Sequence, residues 1–172
     1  DPIAVTIAKA ALTATADDKS VIYGDEAPEY TVTYAGWQGE DTITALTGAI
    51  AFECEYTDMT SVGEYDIVPS GVEAVNYAID FVNGTLTVGK AESYCQAPVA
   101  FDTLVYNGID QTLIAAGLPT GGEMYYTLDT TDVNSWALDL PEAKDAAAYN
   151  VFYRIKGDRN HLDKDYDQPV AV

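Results

Sequence analysis

Apolar and polar residues alternate with a period of two along most of the chain. Tyr30, Val32 and Tyr34 alternate with Thr31 and Thr33, and Phe52, Cys54 and Tyr56 with Glu53 and Glu55. Successive side chains of a strand point to opposite faces, so both runs read as half-buried strands. Tyr77, Ile79 and Phe81 lead into Asn83-Gly84, after which Leu86 and Val88 resume the alternation. An Asn-Gly pair between two such runs predicts a type I′ hairpin, because both central residues of that turn need positive φ. Met124 to Leu128 and Tyr149 to Lys156 read as further strands, the second with Tyr149, Val151, Tyr153 and Ile155 on one face. Only Glu40 to Leu46 and Asp139 to Ala148 have room for a helical turn. Short strands punctuated by Gly, Pro, Asn and Asp predict an all-β sandwich or barrel.

The pattern recurs. Tyr65 in Val62-Gly63-Glu64-Tyr65-Asp66-Ile67 is matched 84 positions later by Tyr149 in Ala146-Ala147-Ala148-Tyr149-Asn150-Val151. Asn76-Tyr77 is matched by Asn160-His161 and Val88 by Val172 at the same spacing, and Tyr23-Gly24-Asp25 has a looser echo in Tyr106-Asn107-Gly108. A duplicated unit is expected, spanning residues 1–90 and 91–172. Val5-Thr6-Ile7-Ala8-Lys9-Ala10 also resembles Leu86-Thr87-Val88-Gly89-Lys90-Ala91, so residues 1–8 read either as the last strand of a preceding unit or as a first strand of this one. Val170-Ala171-Val172 reads as the beginning of another such run. With no Gly/Ser or Pro tract at the join, bending between units is expected to be restricted.

In immunoglobulin-type sandwiches, a Tyr near the start of one strand hydrogen-bonds back to the corner the chain has just turned. Asp145, Ala147 and Tyr149 fit the usual Asp-x-Gly/Ala-x-Tyr spacing, and Gly63 and Tyr65 fit it in part, with Ser61 in place of the Asp. Two tyrosine corners at Tyr65 and Tyr149 favour two tandem Ig-like β-sandwich domains. A β-grasp-like unit is the alternative, since a Gly-x-Tyr strand start is not unique to sandwiches.

Composition sharpens the reading. The chain has 172 residues with 28 Asp+Glu against 8 Lys+Arg, a net charge of −20. Residues 1–90 carry 15 acidic and 3 basic side chains, and residues 91–172 carry 13 and 5, so both units share the acidity. Such a charge repels phosphate backbones and excludes nucleic acid as a partner. With 48% hydrophobic residues and 13 Tyr, the chain is expected to fold and not to behave as an acidic tail. No apolar run reaches the length of a membrane span. The start at Asp1-Pro2-Ile3 carries neither an initiator Met nor a signal sequence, and a piece of a longer protein is expected.

Tyr23-Gly24-Asp25-Glu26-Ala27-Pro28, continuing through Thr31-Val32-Thr33-Tyr34-Ala35-Gly36-Trp37 and Glu40-Asp41-Thr42, resembles MBG domains, repeats of large bacterial cell-surface proteins. Val62-Gly63-Glu64-Tyr65-Asp66-Ile67, Val75-Asn76-Tyr77 and Phe81-Val82-Asn83-Gly84-Thr85-Leu86-Thr87-Val88 extend the resemblance over residues 10–90. The second unit is similar to a related Ig-like surface repeat, through Leu104-Val105-Tyr106-Asn107-Gly108, Gly121-Gly122-Glu123-Met124, Tyr126-Thr127-Leu128-Asp129 and Tyr153-Arg154-Ile155-Lys156-Gly157-Asp158. It departs at Ala146-Ala147-Ala148-Tyr149, where the repeat usually has Ala-Gly-Thr-Tyr. The resemblance implies an extracellular stalk or adhesin segment at a bacterial cell surface or wall, partnered by neighbouring repeats of the same chain. It implies no catalytic residues and no cofactor, and the mucin in the family's name does not assign a ligand to any one copy.

The candidate chemistry is thin. His161 is the only His, and the repeat aligns it with Tyr77, so an aromatic filling a structural slot explains it better than catalysis or metal binding. Asp163-Lys164-Asp165-Tyr166-Asp167 begins like a calcium loop but has Gln168 where the sharp turn needs Gly, so no metal site is expected, with a weak Ca²⁺ site that also draws on Asp158 as the alternative. A carboxylate glycosidase needs two acids across a cleft, for which units of this size leave little room. Cys54 and Cys95 have no framework spacing and read as free thiols, with a bridge between them as the alternative. Asn83-Gly84-Thr85 fits a glycosylation sequon, although a tight turn accounts for the same residues. Trp37, Trp136 and the outward-phased Phe152 are the candidate ligand contacts, because exposed aromatics stack on sugar rings or anchor a protein partner. The expected function is a non-catalytic structural segment, with a glycan- or host-protein-binding module as the alternative.

Overall fold

The computed structural model describes residues 3–172. The chain forms two compact units, the first ending at Gly89 and the second beginning at Lys90, one residue before the join expected from sequence.

Unit 1 is built from β1 (Ala10–Ala16), β2 (Lys19–Ile22), β3 (Val32–Ala35), a single 3₁₀ turn at Ile43–Ala45, β4 (Leu46–Glu53), β5 (Gly63–Ala74), β6 (Tyr77–Val82) and β7 (Gly84–Gly89). These make two sheets. In one, β1 lies between antiparallel β3 and parallel β6. In the other the order is β2-β7-β5-β4, with β2 parallel to β7. Alternation along β1 turns Leu12, Ala14 and Ala16 inward, where Ala16 meets Ile67, Leu86 and Val88 of the second sheet. Leu12 instead packs with Ala74 and Tyr77. The second half of β5 twists over the first sheet, and both glycines at its bulge with β4, Gly48 and Gly71, have positive φ.

Unit 2 contains β8 (Tyr94–Gln96), β9 (Val99–Ala100), β10 (Gln111–Thr112), β11 (Ile114–Ala115), β12 (Leu118–Thr120), β13 (Gly122–Thr127), β14 (Glu142–Ala143), β15 (Asn150–Gly157), β16 (Lys164–Asp165) and β17 (Val170–Ala171). Its main sheet runs β13-β15-β16, with β17 on the same side of β15 as β16 but farther back along it. The pairs β8–β12, β9–β11 and β10–β14 supply the remaining cover. Val151, Tyr153 and Ile155 face inward from β15 and pack with Met124, Tyr126, Leu113 and Ile114. The protein is therefore all-β, two consecutive β-sandwich units. A β-grasp requires a helix for its sheet to hold, and no α-helix occurs among the described residues. Of the two stretches with room for a helical turn, the first holds the 3₁₀ turn, whereas 139–148 holds β14 and bends.

Both expected tyrosines pin the start of a long strand. The Tyr65 hydroxyl donates to Ser61 O (2.7 Å), and the Tyr149 hydroxyl donates to Asp145 O (2.8 Å), each four residues back. The units also begin alike. Ala10 pairs in parallel with Tyr77 and Ala91 with His161, and the Ala10 and Ala91 amides donate to Asn76 O and Asn160 O, both at 2.9 Å.

Two local expectations are corrected. Asn83-Gly84 is not a hairpin: β6 pairs with β1 and β7 with β5 and β2, so these residues carry the chain from one sheet to the other. No described non-Gly residue has positive φ, and Gly84 is needed for a different reason: a Cβ there would sit 2.4 Å from Ala16 O. Val170-Ala171-Val172 is strand-like as expected and pairs with β15. Its register also revises one repeat anchor. Tyr65 pairs with Leu86, whereas Tyr149 and Val172 exchange N–H···O bonds in both directions (2.9 and 2.8 Å). Val172 thus occupies the place of Leu86, two residues from the equivalence with Val88 that spacing alone suggests.

Gly84→Ala should destabilise unit 1 by about 1–3 kcal/mol through overpacking against the β1 backbone, read as a lower urea midpoint for unit 1 with unit 2 unchanged. Tyr65→Phe and Tyr149→Phe should each cost about 1 kcal/mol, the net worth of one hydrogen bond, and each loss should fall on the unit that carries the substitution.

Candidate functional site

The candidate aromatics separate. Trp37 belongs to the core of unit 1: its ring lies 5.5 Å from that of Tyr77, edge-on at 81°, and 5.7 Å from that of Tyr34. Tyr77 is buried and fully used, accepting from the Gln38 amide (2.9 Å) and donating to Asp41 Oδ2 (2.7 Å). The second hydrogen bond, with burial, raises its pKa.

Trp136 and Phe152 come together in unit 2 around a pocket of about 340 Å³ that Arg154 and Tyr166 also line. Strand alternation explains half of this, since Phe152 and Arg154 are two residues apart on the outer face of β15. Trp136 is brought there by a tied-down loop. Asp129 accepts from the Thr131 amide (2.8 Å) and hydroxyl (2.6 Å), contacts that lower its pKa. The Thr127 and Ser135 hydroxyls share a 2.6 Å hydrogen bond, and Tyr126 and Ala137 exchange backbone bonds at 2.8 and 3.0 Å. With both flanks held, the indole lies under the Arg154 guanidinium, whose carbon is 4.3 Å from the ring centroid. Such stacking is worth about 0.5–1 kcal/mol at an exposed site. The buried Arg154 Nε meets no hydrogen-bond acceptor among the described residues. Tyr166 stacks on Tyr153 (4.8 Å, 23°), and Asp165 and Asp167 stand at the rim. A flat aromatic face, a cation and carboxylates on one wall are groups able to hold a polar ring such as a sugar. The role of Arg154 was legible only as its i+2 spacing from Phe152; its meeting with Trp136 depends on the 128–136 loop.

The remaining candidates are engaged structurally. His161 takes the Tyr77 position, and Gly121 makes room for it, since a Cβ at Gly121 would lie 2.5 Å from the imidazole. Its Nδ1 meets Asp158 Oδ1 at 2.7 Å, which lowers the Asp158 pKa. Asp163 is held by Lys156 and by the Gly157 amide (2.9 Å) and is likewise more acidic than usual. No group of three or more potential metal ligands gathers among the described residues. Each carboxylate with a resolved pKa shift is shifted down, opposite to what a glycosidase acid needs. Both cysteines are free. Each sits at the edge of a tyrosine cluster, Cys54 near Tyr30 and Cys95 near Tyr166.

Fold and pocket together define a small all-β module with a shallow aromatic surface site. Residues 12–87 match the family of the MBG domain (YGX type), a family of surface-protein domains, and Tyr23-Gly24-Asp25 is the Tyr-Gly-X triplet within that span. No curated protein and no solved structure matches the chain.

Burial, with a neighbouring cysteine in each case, pushes the Tyr30 and Tyr166 hydroxyls from 10.0 up to about 12. The unfolded chain releases these protons near pH 10 and the folded chain holds them to about 12, so stability should fall as pH rises across that interval. Tyrosinate absorbance should show these late titrations in the folded protein and lose them in denaturant.

Proposed function

We propose that the chain is a non-catalytic structural segment of a bacterial cell-surface or secreted adhesin-type protein, a stalk piece that spaces a distal head from the cell. The observation that carries this reading is the placement of charge. Each unit has its own apolar core, and no carboxylate is buried among the described residues, so the described acidic side chains lie toward solvent. A surface of that sign keeps neighbouring modules soluble and mutually repelling. The MBG match over residues 12–87 supports a surface setting. Unit 2 is read as a related Ig-like surface repeat, and the partners are neighbouring repeats of the same chain.

The second reading is a glycan- or host-protein-binding module, favoured by one observation: Trp136, Phe152 and Arg154 line one pocket on unit 2, with a guanidinium nitrogen left without a partner. A glycan and mucin array probed with the whole chain separates the two. The structural reading expects no saturable binding. Saturable binding that Trp136→Ala abolishes in still-folded protein would establish the second reading instead.

A further inference from the structure

The leading segment carries an apolar alternation with nothing to bury it. Ile3, Val5 and Ile7 are 89%, 84% and 94% exposed and form no strand. Their sequence equivalents in unit 1, at the end that leads into Lys90-Ala91, are the β7 residues Gly84, Leu86 and Val88, and the last two are 0% and 1% exposed. Pro2-Ile3-Ala4-Val5 also matches Pro169-Val170-Ala171-Val172, which closes unit 2. Register agrees with both alignments, because Val172 stands opposite Tyr149 as Leu86 stands opposite Tyr65. Val5, Leu86 and Val172 are therefore the same position of a closing strand.

Unit 2 has a matching slot. In unit 1, Thr87 and Val88 pair with Glu64 and Gly63 on one side, and Leu86 to Gly89 pair in parallel with β2 on the other. The equivalents of those partners are Ala147 and Ala148 on one side and residues 102–105 on the other, by the Tyr23–Tyr106 and Tyr65–Tyr149 alignments. None of them is in a strand. Between them runs a groove of about 300 Å³ walled by Leu104, Val105, Tyr106, Ala146 and Ala147, with Val172 among its lining residues. Leu104 and Tyr106 are exposed, whereas their equivalents Val21 and Tyr23 pack against the unit 1 core. Residues 102–106 form no strand, whereas β2 is a strand laddered to β7.

We propose that this groove accepts a β-strand with the sequence of Thr6-Ile7-Ala8-Lys9, supplied by an adjoining copy of this two-unit module and running on in line from Val172. It would pair in parallel with residues 103–105 and antiparallel with Ala147 and Ala148, burying Ile7 as Val88 is buried. Residues 3–8 of the present chain are the same strand, whose acceptor is the corresponding groove of another copy. Lys9-Ala10 then opens the next unit, as Lys90-Ala91 opens unit 2. The inference is independent of whether the Trp136 pocket binds a ligand.

The test uses the whole chain extended after Val172 by Thr-Ile-Ala-Lys-Ala, beside the same extension with Asp in place of Ile. The Ile extension should slow hydrogen exchange of the 103–106 amides by at least ~10-fold and raise the melting temperature of unit 2 by at least ~4 °C; the Asp extension should do neither. Equal exchange in all three chains, or equal protection by both extensions, overturns the proposal. Protection that develops in the unextended chain as its concentration rises and is lost on Ile7→Asp is the same pairing made by residues 3–8 of a second copy and supports the proposal; concentration-dependent protection that Ile7→Asp leaves unchanged overturns it. In the unextended chain, Val5→Asp with Ile7→Asp should leave unit 1 melting unchanged whereas Val88→Asp abolishes it. Loss of unit 1 stability in the Val5/Ile7 variant would assign the segment to unit 1 itself and also overturn the proposal.

Discussion

A buried strand must satisfy hydrogen bonds along both edges while burying one or both of its faces, and in a unit of fewer than ninety residues a single strand carries much of that requirement. In unit 1 that strand is β7. It joins β5 on one side and β2 on the other, and its Leu86 and Val88 fill the space beneath Ala16 and Ile67. Without β7, β2 would lose its only ladder among the described residues and the core one of its walls. The Gly84 entry follows from the same demand, since the chain must pass within touching distance of the β1 backbone to reach this position.

In unit 2, β17 pairs with β15 in the place that β7 takes on β5, and the core gathers Tyr126, Tyr153 and Met124 beneath short paired segments. Tyrosine recurs in both units for a physical reason: it brings a large apolar body to a small core and a hydroxyl that finds a backbone partner at the surface. Tyr65 and Tyr149 spend that hydroxyl on the corner before a long strand, and Tyr126 accepts from the Gly117 amide at 3.2 Å. The acidic residues are then left to the exterior, where they govern solubility and association more than folding.

Much of the architecture was legible because alternation and spacing are local properties. The inward face of β15, both Tyr corners and the duplication can each be read from residues a few positions apart or from a constant offset. The Asn83-Gly84 turn was misread because its local chemistry suits a hairpin, while its pairing is decided by strands distant in sequence: β6 takes β1 as its neighbour, and β7 takes β5. The aromatics were legible as residues but not as a site. Trp37 entered a core beside Tyr34 and Tyr77, whereas Trp136 was carried beneath Arg154 by a loop whose path depends on the Thr127–Ser135 and Tyr126–Ala137 contacts.

Sequence alone determined the all-β class, the two-unit division, the acidic exterior and the resemblance of residues 10–90 to MBG domains, because these rest on periodicity, composition and motif. Tertiary structure decided which strands pair, that β7 and β17 close their units in registers set against Tyr65 and Tyr149, and which aromatic side chains face solvent together. Those outcomes depend on hydrogen-bond ladders between segments tens of residues apart, and a shift of two residues in such a ladder leaves the local alternation unchanged.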